Sequence, residues 1–229
     1  MQDRVILVTG ASRGLGRQIV DHYAPANRII GLSRSGTGPE GISLVSCNLA
    51  APADVATVAD NLCRRWPDID VLINNAAILT STPIALMSDG DILAQVQTNL
   101  VGPMLLTKRV LKVMMRRRRG RIVNVVSMSH KLCKPGDSVY AATKAALEVF
   151  GKIVNIEAHS YGITVNNLAV SASPSGMLEQ ITKANPKNIR AMIPHDQFAD
   201  ITGISAVIDF FCADGAGDVG GQTVFLGGV

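Results

Sequence analysis

The chain has 229 residues, 47% hydrophobic and 17% charged, which is far from the composition of a disordered segment. At this length one domain buries roughly 70–75% of its unfolded surface, so it needs neither disulfides nor a metal, and Cys47, Cys63, Cys133 and Cys212 show no metal-ligand spacing. The net charge of +4 is too weak to argue for nucleic acid, and no run approaches the about 18 apolar residues of a membrane span, so a cytoplasmic globule with no membrane or nucleic-acid partner is expected.

The first apolar run, residues 5–8, is β-branched and continuous, as in a strand buried on both faces. It gives way to Thr9-Gly10-Ala11-Ser12-Arg13-Gly14-Leu15-Gly16, and a helical pattern follows over 15–24. Further strands are predicted at 28–32, 42–45, 69–73, 121–126, 163–168 and 223–226. Helices are predicted at 52–66, 89–116, 138–160, 174–191 and 197–213. Residues 33–41 are too few and too glycine-rich for a full helix between the second and third strands. Pro103 falls inside the 89–116 pattern, where its missing N–H should kink or restart the helix. Alternating strands and helices with short links imply a doubly wound parallel β-sheet of about seven strands with helices on both faces. No composition break divides residues 1–229, so a single domain is expected.

Glycines at a strand-to-helix turn let the backbone approach a pyrophosphate, which would sit on the free amides of the helix start. Gly10, Ser12, Arg13, Gly14, Leu15 and Gly16 are therefore the first candidate nucleotide contacts. A site for NAD would carry a carboxylate at the end of the second strand. That end reads Leu32-Ser33-Arg34-Ser35, with Arg13 contributed by the glycine turn. Two guanidiniums and a serine hydroxyl suit a 2′-phosphate, so NADP(H) is expected as cofactor.

Tyr140 and Lys144 are four residues apart at the front of a predicted helix, on one face. Ser127 ends a strand, and Asn99 lies within the long helical pattern before it. Taken with the glycine turn, Asn74-Asn75-Ala76 and the closing Gly221-Gln222-Thr223, these landmarks resemble the short-chain dehydrogenase/reductase family along essentially the whole chain. Within it the text is most similar to 3-oxoacyl carrier-protein reductases and related ketoreductases. The resemblance implies a Rossmann-type fold and a catalytic set of Asn99, Ser127, Tyr140 and Lys144. Tyr140 would be the general acid, its pKa lowered by the Lys144 ammonium and a cationic nicotinamide. Ser127 would stabilise developing alkoxide charge, Lys144 would hold the nicotinamide ribose, and Asn99 would anchor a proton-relaying water. Asn75, Ala76 and Ala77 would line the adenosine ribose, Asn48 and Leu49 would flank the adenine, and Ser173 and Ser175 would reach the nicotinamide end.

Several positions depart from the family pattern. Ala77 stands where glycine is usual, Asn48 where aspartate is commoner, and Val170-Ser171 where the family has Pro-Gly over the nicotinamide. Tyr161 stands where carrier-protein reductases tend to have arginine. His130, Lys131 and Lys134 near the mouth, with Lys183, Lys187 and Arg190 on an expected lid over about 172–195, make a positive rim that would steer an anionic or carrier-bound substrate. The run from Arg116 to Arg121 is read as a solvated helix end complementing the helix dipole, with carrier docking as the second reading.

The expected activity is NADPH-dependent reduction of a ketone, such as a β-keto thioester, to a secondary alcohol. A non-catalytic NADP sensor and an alcohol dehydrogenase working in the oxidative direction are the alternatives. The resemblance also implies a homodimer or homotetramer formed through the long helices at 89–116 and 138–160.

Overall fold

All five residues of the first strand, β1 (Val5–Thr9), are buried, as its branched side chains on both faces require. The computed structural model describes residues 1–171 and 199–227. Along them follow α1 (Gly14–Tyr23), β2 (Arg28–Ser33), β3 (Ser43–Ser46), α2 (Pro52–Arg65), β4 (Val71–Asn74), α3 (Asp89–Val96) and α4 (Gly102–Arg117). The second half supplies β5 (Gly120–Ser127), α5 (Ser129–Leu132), α6 (Ser138–Ala158), β6 (Ile163–Val170), α7 (Ile201–Cys212) and β7 (Thr223–Leu226). The strands make one sheet in the order β3-β2-β1-β4-β5-β6-β7, with every pairing parallel. Strand order reverses between β1 and β4, and the crevice at such a switch point is where this architecture receives ligands.

Alternation along β1 divides the core. Leu7 joins a cluster with Leu62, Leu106, Val110 and Val154 beneath α2, α4 and α6. Ile6 and Val8 face the other way, onto Ile19, Val20, Ile204 and Phe211 of α1 and α7.

The predicted helix at 89–116 is continuous, and Pro103 is accommodated by a local change of winding rather than a break. It runs as α3, a wide π turn over Gln97–Val101, and α4, with Pro103 in the first turn of α4 where no N–H is needed. Between β2 and β3 the chain crosses over without a helix, and β3 is consequently only half-buried. The short α5 was not expected from the sequence. The predicted helix at 174–191 and the lid at 172–195, with Ser173, Ser175, Lys183, Lys187 and Arg190, lie largely or wholly outside the described residues. Among those described, no helix is long and apolar enough to cross a membrane.

The arginine run is more than a solvated helix end. Arg117 pairs with Asp70 at 3.1 Å and donates to Ile69 O, Arg118 donates to Ser160 O, and Arg121 donates to Gly162 O. Charge-assisted bonds to these carbonyls stitch the end of α4 to the starts of β4 and β6. All of this lies at the sheet edge opposite the crevice.

Candidate active site

The C-terminal edge of the strands gathers the predicted residues. After β1 the turn bends through Gly10 (φ +72°) and Gly14 (φ +58°), conformations that side chains disfavour. A Cβ on Gly16 would lie 2.1 Å from the carbonyl oxygen of Gly10, so helix and turn meet with no room for a methyl. The α1 N-terminus has no side-chain cap and no acid in its first turn, leaving its dipole open to an anion. Thr9 Oγ1 accepts from the N–H groups of Asn75 (2.9 Å) and Ala76 (3.0 Å), and Asn75 Nδ2 donates to Thr9 O at 2.9 Å. The Asn75 amide thus ties β4 to β1 under the glycine turn, and Ala77 follows, half-buried.

Arg13 in the glycine turn and Arg34 after β2 are both exposed, and neither guanidinium has a hydrogen-bond or ion-pair partner among the described residues. Ser33 is buried and donates to Thr37 O at 3.0 Å, so its hydroxyl shapes the loop. Asn48 is exposed, with Oδ1 accepting from the Ala50 N–H, while Leu49 is buried beside it.

Ser127 ends β5, and Tyr140 and Lys144 project from the first turns of α6, both buried. The Tyr140 phenol is pushed up to about 12, chiefly by burial and further by the Asp137 carboxylate, against a hydrogen bond from Ser127 that favours phenolate. The expected lowering by Lys144 and a cationic nicotinamide concerns the cofactor-bound site; in the protein alone burial dominates. Lys144 is brought down to about 8 by burial. Its Nζ lies 5.9 Å from the Tyr140 ring centre and donates to Val125 O at 2.7 Å.

Asn99 sits in the π turn, fully buried. Its amide accepts from Ile78 N and donates to Ile78 O, both at 2.8 Å, and donates to Thr143 Oγ1 at 3.3 Å. Thr143 in turn donates to Tyr140 O at 2.7 Å. The sequence reading missed Thr143, although its place between Tyr140 and Lys144 on one helix turn was the available signal. It also missed a buried row of asparagines. Asn74 Nδ2 donates to Asn124 Oδ1 (2.9 Å), and Asn124 Nδ2 donates to Asn167 Oδ1 (3.1 Å), in register across β4, β5 and β6.

The family model for short chain dehydrogenases matches residues 4–186. The 3-oxoacyl-[acyl-carrier-protein] reductase FabG of Haemophilus influenzae is 31% identical, over 100% of this chain and 98% of its own. The corresponding reductase of a Synechocystis species is 32% identical over 98% of this chain and 96% of its own. Among solved structures, a phenylalanine-to-tryptophan variant of actinorhodin polyketide ketoreductase with NADPH superposes with a TM-score of 0.88 at 25% identity, covering 100% of this chain and 98% of that one. The aldohexose dehydrogenase of Thermoplasma acidophilum, at 22% identity and a TM-score of 0.88 over 98% of this chain and 92% of its own, shares the fold. With a serine, tyrosine and lysine gathered beside a glycine turn at the switch point of a seven-stranded parallel sheet, the chain is an oxidoreductase belonging to the short-chain dehydrogenase family.

Proposed function

We propose that the protein reduces a ketone to a secondary alcohol at the expense of NADPH, with Tyr140 as general acid. The observation that carries this reading is the placement of Ser127 at the C-terminal end of β5 with Tyr140 and Lys144 buried on the first turns of the following long helix. A carbonyl receiving hydride needs a proton on its oxygen, and a phenol, neutral at physiological pH, carries one to give. The Ser127 hydroxyl donates to the same developing oxyanion. Lys144 supplies positive charge behind the phenol, favouring phenolate as the proton leaves.

The residues present fit a phosphorylated dinucleotide. The uncapped α1 N-terminus and the glycine cradle suit the pyrophosphate, and Arg13 and Arg34, free of ion pairs among the described residues, suit a 2′-phosphate. The bound cofactor supplies the hydride. The polyketide ketoreductase neighbour holds NADPH, and the curated relatives named above act on acyl-carrier-protein substrates, which supports a carrier-bound or small free ketone here. Residues 1–229 act as one nucleotide-binding domain in this reading.

Assembly as a homodimer or homotetramer belongs to the same proposal. On the outer side of α6, Val149, Ile153 and Ile156 are 55%, 52% and 78% exposed, spaced as one apolar stripe that a second copy would cover.

The test follows NADPH oxidation with an acetoacetyl thioester on a pantetheine arm beside small free ketones. Tyr140→Phe should lower kcat at least about 100-fold while NADPH still binds. Undiminished turnover in that variant overturns the assignment.

A further inference from the structure

Glu148 stands one helical turn beyond Lys144 on α6 and is buried, yet proton transfer as described above makes no use of it. A buried carboxylate persists only when partners compensate its lost hydration. Its Oε1 accepts from Lys152 Nζ (2.6 Å) and from Thr223 Oγ1 on β7 (3.1 Å), while Oε2 makes no hydrogen bond among the described residues and lies 3.2 Å from His130 Nε2 on α5, an ion pair when the imidazole is protonated. Burial pushes its pKa up, but the bonds from Lys152 and Thr223 outweigh that and hold it below the ordinary carboxylate range, so it stays charged.

Lys152 alone would neutralise the carboxylate. The other two contacts instead join α6 to separate elements, and α5 is the one that matters for chemistry. It follows Ser127 directly. The Ser129 N–H donates to Ser127 Oγ at 3.1 Å, and the N–H groups of Lys131 and Leu132 both donate to Met128 O. Residues 127–132 therefore form a continuous hydrogen-bonded turn, and the serine hydroxyl moves with it. The His130 ring lies 6.2 Å from that of Phe225, which limits its motion on the β7 side. Tyr140, Lys144 and Glu148 all ride on one helix, so any shift of the turn against α6 changes the distance from the Ser127 hydroxyl to the phenol.

We propose that Glu148 is a positioning residue, which through His130 fixes the turn after β5 and so holds the Ser127 hydroxyl against Tyr140. This rests on the ketoreductase reading, because it assigns Ser127 and Tyr140 their roles. The sequence reading placed His130 on a charged rim with Lys131 and Lys134, and in the structure its Nε2 faces Glu148.

The experiment compares Glu148→Gln, His130→Gln, their double variant and Lys152→Met, reading kcat and NADPH affinity by fluorescence titration. Each single change at the pair should lower kcat about tenfold, as misplacement of a reacting group does, with NADPH affinity within about twofold. The double variant should be no worse than the poorer single one, since both break one contact. Lys152→Met should keep kcat within about twofold. Unchanged kcat in Glu148→Gln, multiplying losses in the double variant, or parallel loss of NADPH affinity would each overturn the proposal. Should Glu148→Gln fail to fold, His130→Gln reads the same contact from the other side, and full activity there is equally fatal. Turnover that survives Tyr140→Phe removes the reading beneath, whereas full activity in the pair variants with Tyr140→Phe inactive removes the positioning role alone.

Discussion

Lys144 is 2% exposed, and burial brings its pKa from 10.5 to about 8, so at pH 7 its charge is kept against a desolvation penalty. A shift of that size corresponds to about 3 kcal/mol, and the bond to Val125 O returns about 1 kcal/mol. Lys144→Met should therefore abolish turnover while raising stability by about 1–2 kcal/mol at pH 7. The sign with pH follows from proton counting. Between pH 8 and 10.5 the unfolded chain holds a proton that the native lysine has released, so this group's contribution to stability rises with pH and the advantage of the methionine variant disappears. Urea midpoints of both proteins across that range check it, and the difference between them cancels the opposing effect of the distant Cys47 and Cys212, whose raised values cost stability above pH 9. Arg34 gives a second measurement. Arg34→Asp should weaken NADPH at least about tenfold with little change in NADH, and equal affinities in the parent and variant would remove the phosphate assignment.

The elements show which features pattern alone could reveal. The strands were legible within a residue or two because buried parallel strands are continuous apolar runs, and the glycine turn was legible because its chemistry is local. Pro103 marked an irregularity in 89–116 through its missing donor, although nothing nearby announces a π turn holding Asn99. The asparagine row was invisible. Asn74, Asn124 and Asn167 are separated by dozens of residues and align only through strand register. They stabilise as a set, each satisfying a buried neighbour. Asn124→Ala should leave the Asn74 amide short of one acceptor and Asn167 Oδ1 short of a donor, costing about 2–5 kcal/mol with a matching fall in Tm. An equally stable variant would mean that water replaces the lost amide.

At the scale of the whole molecule the fold was readable, as was the set of candidate side chains that it brings to one edge of the sheet, whereas their electrostatics were not. The raised Tyr140 depends on how deeply α6 is buried, a property of the complete packing. The same helix turns its chemistry inward and its apolar stripe outward. Ile156→Lys should thus yield monomers in sedimentation velocity where the parent sediments as a dimer or tetramer, because an uncompensated charge would enter the interface. A parent that is itself monomeric at micromolar concentration would remove the proposed assembly.

The crossover between β2 and β3 that goes without a helix has a consequence in time. β3 pairs with a single neighbour and is only half-buried, so its amide protons should trade with heavy water sooner than those of β1 or β5. Arg34 opens that same crossover. Adding NADPH should slow exchange across 34–46, and NADH should slow it less. Protection of the two kinds, read peptide by peptide, reports the 2′-phosphate contact without any turnover. Part of the nucleotide's binding energy then goes into quieting one margin of the sheet.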